Sequence, residues 1–170
     1  GRIEAASRPF DFGIITGDCA DSAQENELRW VIALMNGEPG LETDSGDDDD
    51  PVPGAANDPK DAFDPSPFPA PWFYVPGNHD VQVVGITTPN DELRAIALGT
   101  RATTGTRDYR QWYAPSFRGD VPADPERRIL ERDEIVSILR EPTSGGDEGP
   151  PGHGYPSTGT VDTALGAPSS

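Results

Sequence analysis

The sequence predicts an α/β chain with a modest core, on three observations. Two short apolar segments are rich in β-favouring residues, a helical apolar repeat lies between them, and a long acidic, proline-scattered stretch interrupts the pattern. Only 34% of the 170 residues are hydrophobic and 19 Gly and 19 Pro accompany them, so loop must form a large share of the chain.

The first strand is expected at about Phe10 to Thr16, where Phe10, Phe12, Ile14 and Ile15 form an apolar run that Gly17-Asp18 ends. Ser22-Ala23-Gln24-Glu25 has capping-box spacing, in which the serine hydroxyl accepts from the amide three residues on and the glutamate reaches back. A helix from about Ala23 to Asn36 follows. Leu28, Val31, Ile32 and Met35 recur at steps of three and four along one stripe, flanked by Trp30 and Leu34, and Gly37 stops it.

Between Gly37 and Pro71, ten acidic residues face Lys60 alone, a local charge of −9. Such a stretch buries too little apolar surface to offset its chain entropy, so residues 37–71 read as a flexible acidic insertion. Order is expected to resume in a second buried strand at Trp72-Phe73-Tyr74-Val75, which runs into Pro76-Gly77-Asn78-His79-Asp80.

Asn90 or Asp91 is placed to cap a short helix through Leu93, Ile96 and Ala97, with Gly99 ending it. Arg107 to Tyr113 alternates aromatic and basic residues and fits either a strand or a helical turn. Asp124-Pro125 looks like a cap followed by proline at the first helical position. Helix is expected between about Pro125 and Arg140, with Glu131 to Glu134 as a place where it can split in two. Residues 143–170 are Gly, Pro, Ser and Thr without periodicity, a loose tail or loop, leaving 1–142 as the folded part.

Charge narrows the function. The net charge is −17 and the pI near 4.2, so nucleic-acid backbones and anionic membrane surfaces would repel most of the molecule. No run approaches the roughly 20 apolar residues of a membrane span, and no targeting signal is visible, so a soluble chain is expected with its compartment unspecified. Cys19 alone provides neither a disulfide framework nor a cysteine-rich zinc site. The chain starts Gly1-Arg2-Ile3 and ends in a low-complexity run, which reads as a piece of a longer protein.

Two motifs carry chemistry. Gly17-Asp18-Cys19-Ala20-Asp21 and Gly77-Asn78-His79-Asp80 each follow a short hydrophobic strand, where an α/β fold presents ligands at the carboxyl ends of its strands. A carboxylate has lone pairs enough to bridge two cations, an amide oxygen adds a neutral ligand, and the preceding glycines let the backbone turn sharply.

In these two motifs and their order, G-D-x-x-D and then G-N-H-D, the chain resembles the calcineurin-like metallophosphoesterase superfamily. The resemblance implies a partial four-layer α/β/β/α sandwich and hydrolysis of phosphomonoesters or phosphodiesters. It also implies two divalent metal ions, of Mn, Fe or Zn, about 3.5–4 Å apart that activate water for in-line attack. It assigns Asp18 as the bridging ligand, Asn78 as a ligand of the second metal, and His79 as the catalytic histidine at the scissile phosphate. Asp80 would orient the imidazole and favour its protonated form, and Asp21 would support the ligands from behind.

The family's D-x-H block before G-D-x-x-D and its later histidine blocks have no counterpart here. Tyr155 stands where the second histidine of a G-H-x-H block would be, which leaves His153 as a loop residue. Asp18 and Asn78 are then the only matched ligands, and the isolated chain is expected to bind metal poorly and to be nearly inactive. Cys19 as a zinc thiolate and Asp47 to Asp50 as a loose calcium site are weaker alternatives to a small packed thiol and a solvated acidic linker. A rival reading is a non-catalytic relative whose acidic insertion serves as a binding segment.

Overall fold

The computed structural model describes residues 10–43, 54–57, 61–101 and 122–139. They form strand β1 (Gly13–Ile15), helix α1 (Glu25–Asn36), strand β2 (Trp72–Tyr74), helix α2 (Asp91–Leu98), a 3-10 turn (Pro125–Arg127) and helix α3 (Arg132–Leu139). The expectations for Arg107 to Tyr113, the acidic run Asp47 to Asp50, the tail 143–170 and His153 fall outside the described residues.

β1 and β2 pair in parallel, with Gly13 opposite Trp72, Ile14 opposite Phe73 and Ile15 opposite Tyr74. Parallel neighbours require a crossover between them, and α1 lies within it. Side chains alternate across the sheet. Trp72 and Tyr74 point into a core with Leu28, Leu130, Ile135, Ile138 and Leu139, and Ile15, Val31, Ile32, Met35 and Phe68 pack at its edge. Burying a side chain of this size contributes about 1.5–3 kcal/mol, so this cluster dominates the described stability. The other face carries Phe12, Ile14 and Phe73, with Phe12 edge-on to Phe73 at 6.2 Å and Ile14 exposed. β1 is therefore only half-buried, and shorter than its apolar run suggested.

The start of α1 departs from the sequence reading. The N-cap is Gln24, and it is Glu27 whose carboxylate reaches back to the Gln24 amide at 3.2 Å. Ala23 sits in left-handed backbone at φ 58, which breaks the helical path before Gln24. Its amide donates to the His79 carbonyl at 3.0 Å, and its carbonyl accepts from Leu130 at 2.8 Å. Ser22 is thereby released from capping, and its hydroxyl instead accepts from the Val84 amide at 3.2 Å.

At the other end Gly37 adopts φ 70 and closes α1 as expected, with the Glu38 amide donating to the Ala33 carbonyl at 2.9 Å. The insertion that follows is pinned where it leaves and rejoins the fold. Leu41 and Phe63 exchange two backbone hydrogen bonds of 2.9 Å, and Phe68 donates to the Met35 carbonyl at 2.9 Å.

α2 is capped by Asn90, whose side chain accepts from Leu93 at 2.9 Å. Asp124 caps the 3-10 turn through the Glu126 amide at 2.7 Å. The expected break between the two C-terminal helical pieces falls at 128–131, meeting the charged run only at Glu131. The Arg128 carbonyl accepts from Glu25 and Ile129 forms a bridge with Gln24, so tertiary pairing takes the backbone groups a continuous helix would need. Arg127 is fully buried, and its guanidinium donates to the carbonyls of Ala97 at 2.8 Å, Gly99 at 2.5 Å and Pro122 at 2.8 Å. No helix among the described residues is long and apolar enough to cross a membrane.

Candidate functional site

Because β1 and β2 run parallel and in register, the turns that leave their carboxyl ends emerge side by side. The Val75 amide still donates to the Ile15 carbonyl at 2.9 Å, and beyond that pair the chains bend into Gly17-Asp18 and Gly77-Asn78. The two glycines allow the approach. A Cβ on Gly17, which has φ 90, would lie 2.1 Å from the Gly77 nitrogen, and a Cβ on Gly77 would lie 2.2 Å from Asp18 Oδ1. Asp18 itself takes left-handed backbone at φ 57, a conformation aspartate tolerates better than most residues.

A buried carboxylate ties the turns together. Asp80, only 3% exposed, accepts at Oδ2 from the amides of Asp18 at 2.8 Å and Gly77 at 2.7 Å. Its Oδ1 accepts from the amides of Cys19 at 3.2 Å and Ala20 at 2.9 Å and from the Tyr74 hydroxyl at 2.6 Å. Burial, then the bond and charge of Asp80, push the Tyr74 phenol far above its ordinary range, so it stays a donor. Asp80 therefore does not orient the imidazole, as the sequence reading had it: both its oxygens are occupied in holding the first motif against the second.

Asp21 takes the role expected of Asp80. His79 Nδ1 lies 3.0 Å from Asp21 Oδ1 and 3.2 Å from the Asp21 carbonyl. Both are acceptors, so Nδ1 carries a proton and Nε2 is the nitrogen left for other chemistry. Desolvation lowers the imidazole pKa, but the Asp21 carbonyl and carboxylate, with Asp18 behind them, outweigh it and raise the pKa above its ordinary value. The His79 amide donates to Asp18 Oδ1 at 3.0 Å, which fixes that carboxylate against the second turn.

Asn78 is exposed, and its Nδ2 donates to the Gly85 carbonyl at 2.9 Å. Asp18, Asn78, His79 and Asp21 thus share one rim at the carboxyl end of the sheet. Cys19, which is exposed, lies on that rim too, and partial desolvation with the nearby Asp80 charge raises its thiol pKa. Burial and the five-donor environment, neither visible in the sequence, distinguish Asp80 from Asp21. The one sequence signal for the latter was its place as the final aspartate of the G-D-x-x-D block.

The donor chemistry on the rim suits hard divalent cations. Asp18 offers a carboxylate and Asn78 an amide oxygen, but among the described residues no group of three or more His, Cys, Asp or Glu side chains could hold a metal ion. Asp18, Asp21 and Asp80 stand here against one imidazole, so the local field repels a phosphoester unless cations offset it. In comparisons with known proteins, no family model matches the chain, and neither the curated proteins nor the solved structures provide a significant match.

Proposed function

We propose that this chain carries part of the centre of a metal-dependent phosphoester hydrolase of the calcineurin-like metallophosphoesterase type, acting on phosphomonoesters or phosphodiesters. The observation that carries this reading is the convergence of the two motif turns, clamped by Asp80, with Asp18, Asn78 and the His79–Asp21 pair on a single rim. In this reading the two-stranded sheet belongs to a four-layer sandwich, whose second sheet would cover the apolar face of Phe12, Ile14 and Phe73.

Asp18 and Asn78 would supply two of the ligands for a pair of divalent ions, Mn, Fe or Zn, and the other ligands are not among the described residues. Bound cations would polarise the phosphoryl oxygens and neutralise the acidic rim. The residues of this chain account for the proton. Asp21 accepts from Nδ1 and stabilises the imidazolium, and Nε2–H is then the donor available to a leaving oxygen or a developing phosphoryl charge. Asp80 contributes by fixing the backbone from which Asp18 and His79 project.

With no third ligand among the described residues, the second reading is a non-catalytic relative in which the acidic insertion is the binding segment. Elemental analysis together with para-nitrophenyl phosphate turnover of the full-length product, wild type beside His79→Ala, separates the two. The hydrolase reading expects bound divalent metal and a loss of about 10²–10⁴-fold in turnover with metal retained. Metal-free protein with turnover that His79→Ala leaves unchanged supports the non-catalytic module.

A further inference from the structure

The turn from Gln82 to Thr87 lies against the candidate rim, and neither motif predicted it. Val83 and Thr87 close it with backbone bonds of 2.9 and 3.1 Å, and the Gly85 amide donates to the Gln82 carbonyl at 3.2 Å. Val84 is held at φ 46, a strained conformation for a β-branched residue, and its amide is anchored on the hydroxyl of Ser22, which is 4% exposed. Ser22 directly follows Asp21, so the first motif braces the turn that covers the second.

Gly85, at the centre of this turn, is buried and has φ 72. A Cβ there would lie 2.4 Å from both Cδ2 and Nε2 of His79 and 2.6 Å from Asn78 Nδ2. Its carbonyl accepts from that same Nδ2 at 2.9 Å. A carbonyl can only accept, so the amide nitrogen must face Gly85, and Asn78 Oδ1 is turned to the opposite side, with no partner among the described residues.

We propose that Gly85 is a positioning residue for the site. Its carbonyl sets the Asn78 amide with the oxygen outward, and its missing side chain lets the turn lie against the Cδ2–Nε2 edge of His79 without displacing the ring. What Asn78 is aimed at rests on the hydrolase reading; the orientation itself does not. An asparagine free to rotate would present its NH2 to a cation half the time, whereas one fixed by Gly85 always presents oxygen. The Ser22 anchor holds the turn close enough to act this way and offsets the strain at Val84.

The test is side-chain amide exchange by NMR on the whole chain, with Asn90 as internal reference, since Asn90 uses only its oxygen, as a helix cap. In the wild type the Asn78 NH2 exchanges about tenfold more slowly than that of Asn90. In Gly85→Ala it rises to within about twofold of Asn90, and in Ser22→Ala, which keeps the glycine and loosens the turn, it rises about threefold. Asn78 exchanging like Asn90 in the wild type overturns the proposal, as does an unchanged Asn78 signal in a folded Gly85→Ala. Should Gly85→Ala fail to fold, Ser22→Ala decides, and an unchanged Asn78 there overturns the proposal.

Mn²⁺ alone, titrated into the same samples, separates this inference from the hydrolase reading. Broadening centred on Asp18 and Asn78 that needs about fivefold more Mn²⁺ in Gly85→Ala supports both. The same broadening unchanged in Gly85→Ala overturns the positioning role. Absence of broadening in the wild type is what two ligands alone would give, and the orientation then stands or falls on the exchange rates.

Discussion

Replacing Asp80 with asparagine keeps the size of the side chain and removes half of its accepting capacity. The least disruptive placement keeps the amide oxygen at the Oδ1 position, where the Cys19 and Ala20 amides and the Tyr74 hydroxyl still find it. The new NH2 then confronts the amides of Asp18 and Gly77, donor against donor, at sites that were 2.8 and 2.7 Å hydrogen bonds. Bonds to a charged acceptor are worth about 1.5–3 kcal/mol each, so losing two predicts a loss of about 3–6 kcal/mol. Tyr74→Phe removes one of the five donors and leaves the carboxylate satisfied, so about 1 kcal/mol is expected. Urea unfolding followed by the fluorescence of Trp72, which is fully buried, reads both. With a slope of about 1–3 kcal/mol per molar, Asp80→Asn should lower the midpoint by at least about 1 M. A shift no larger than that of Tyr74→Phe would refute the clamp.

Other perturbations test the neighbouring contacts. Asp21→Asn should lower the His79 pKa toward its ordinary value near 6.5, read from the imidazole proton shifts against pH. Because the folded pKa is raised, its contribution to stability is complete below about 6.5 and is lost as pH rises through the higher folded value, and Asp21→Asn should flatten that slope. Gly17→Ala combines a φ of 90 with a contact of 2.1 Å to Gly77 backbone, so a loss of about 1–3 kcal/mol in calorimetry is expected. Arg127→Met takes the donor from the buried carbonyl of Ala97 and the part-buried carbonyls of Gly99 and Pro122, and should cost about 2–4 kcal/mol and speed hydrogen exchange at the end of α2.

The sequence by itself determined the elements whose causes are local. The three- and four-step repeat of Leu28, Val31, Ile32 and Met35 specifies α1. Gly37 ends it by taking a backbone conformation that other residues resist, and Asn90 starts α2 by offering an oxygen to an orphan amide. The two motifs were legible because each is a contiguous run after an apolar segment. What only the tertiary structure decided depends on groups far apart in the chain. Asp80 and Asp21 are both aspartates within two residues of a motif histidine or cysteine, and nothing in their letters separates them. Burial assigned one to four backbone amides and a phenol, and left the other half-exposed against an imidazole 58 positions away. Ser22 fits a helix cap by spacing, yet Ala23's left-handed backbone and the pull of Val84 give its hydroxyl to a different partner. Hydrogen-bonding groups go where the fold leaves a donor without water, and that competition is settled by which strands lie side by side, a long-range outcome that no local pattern encodes.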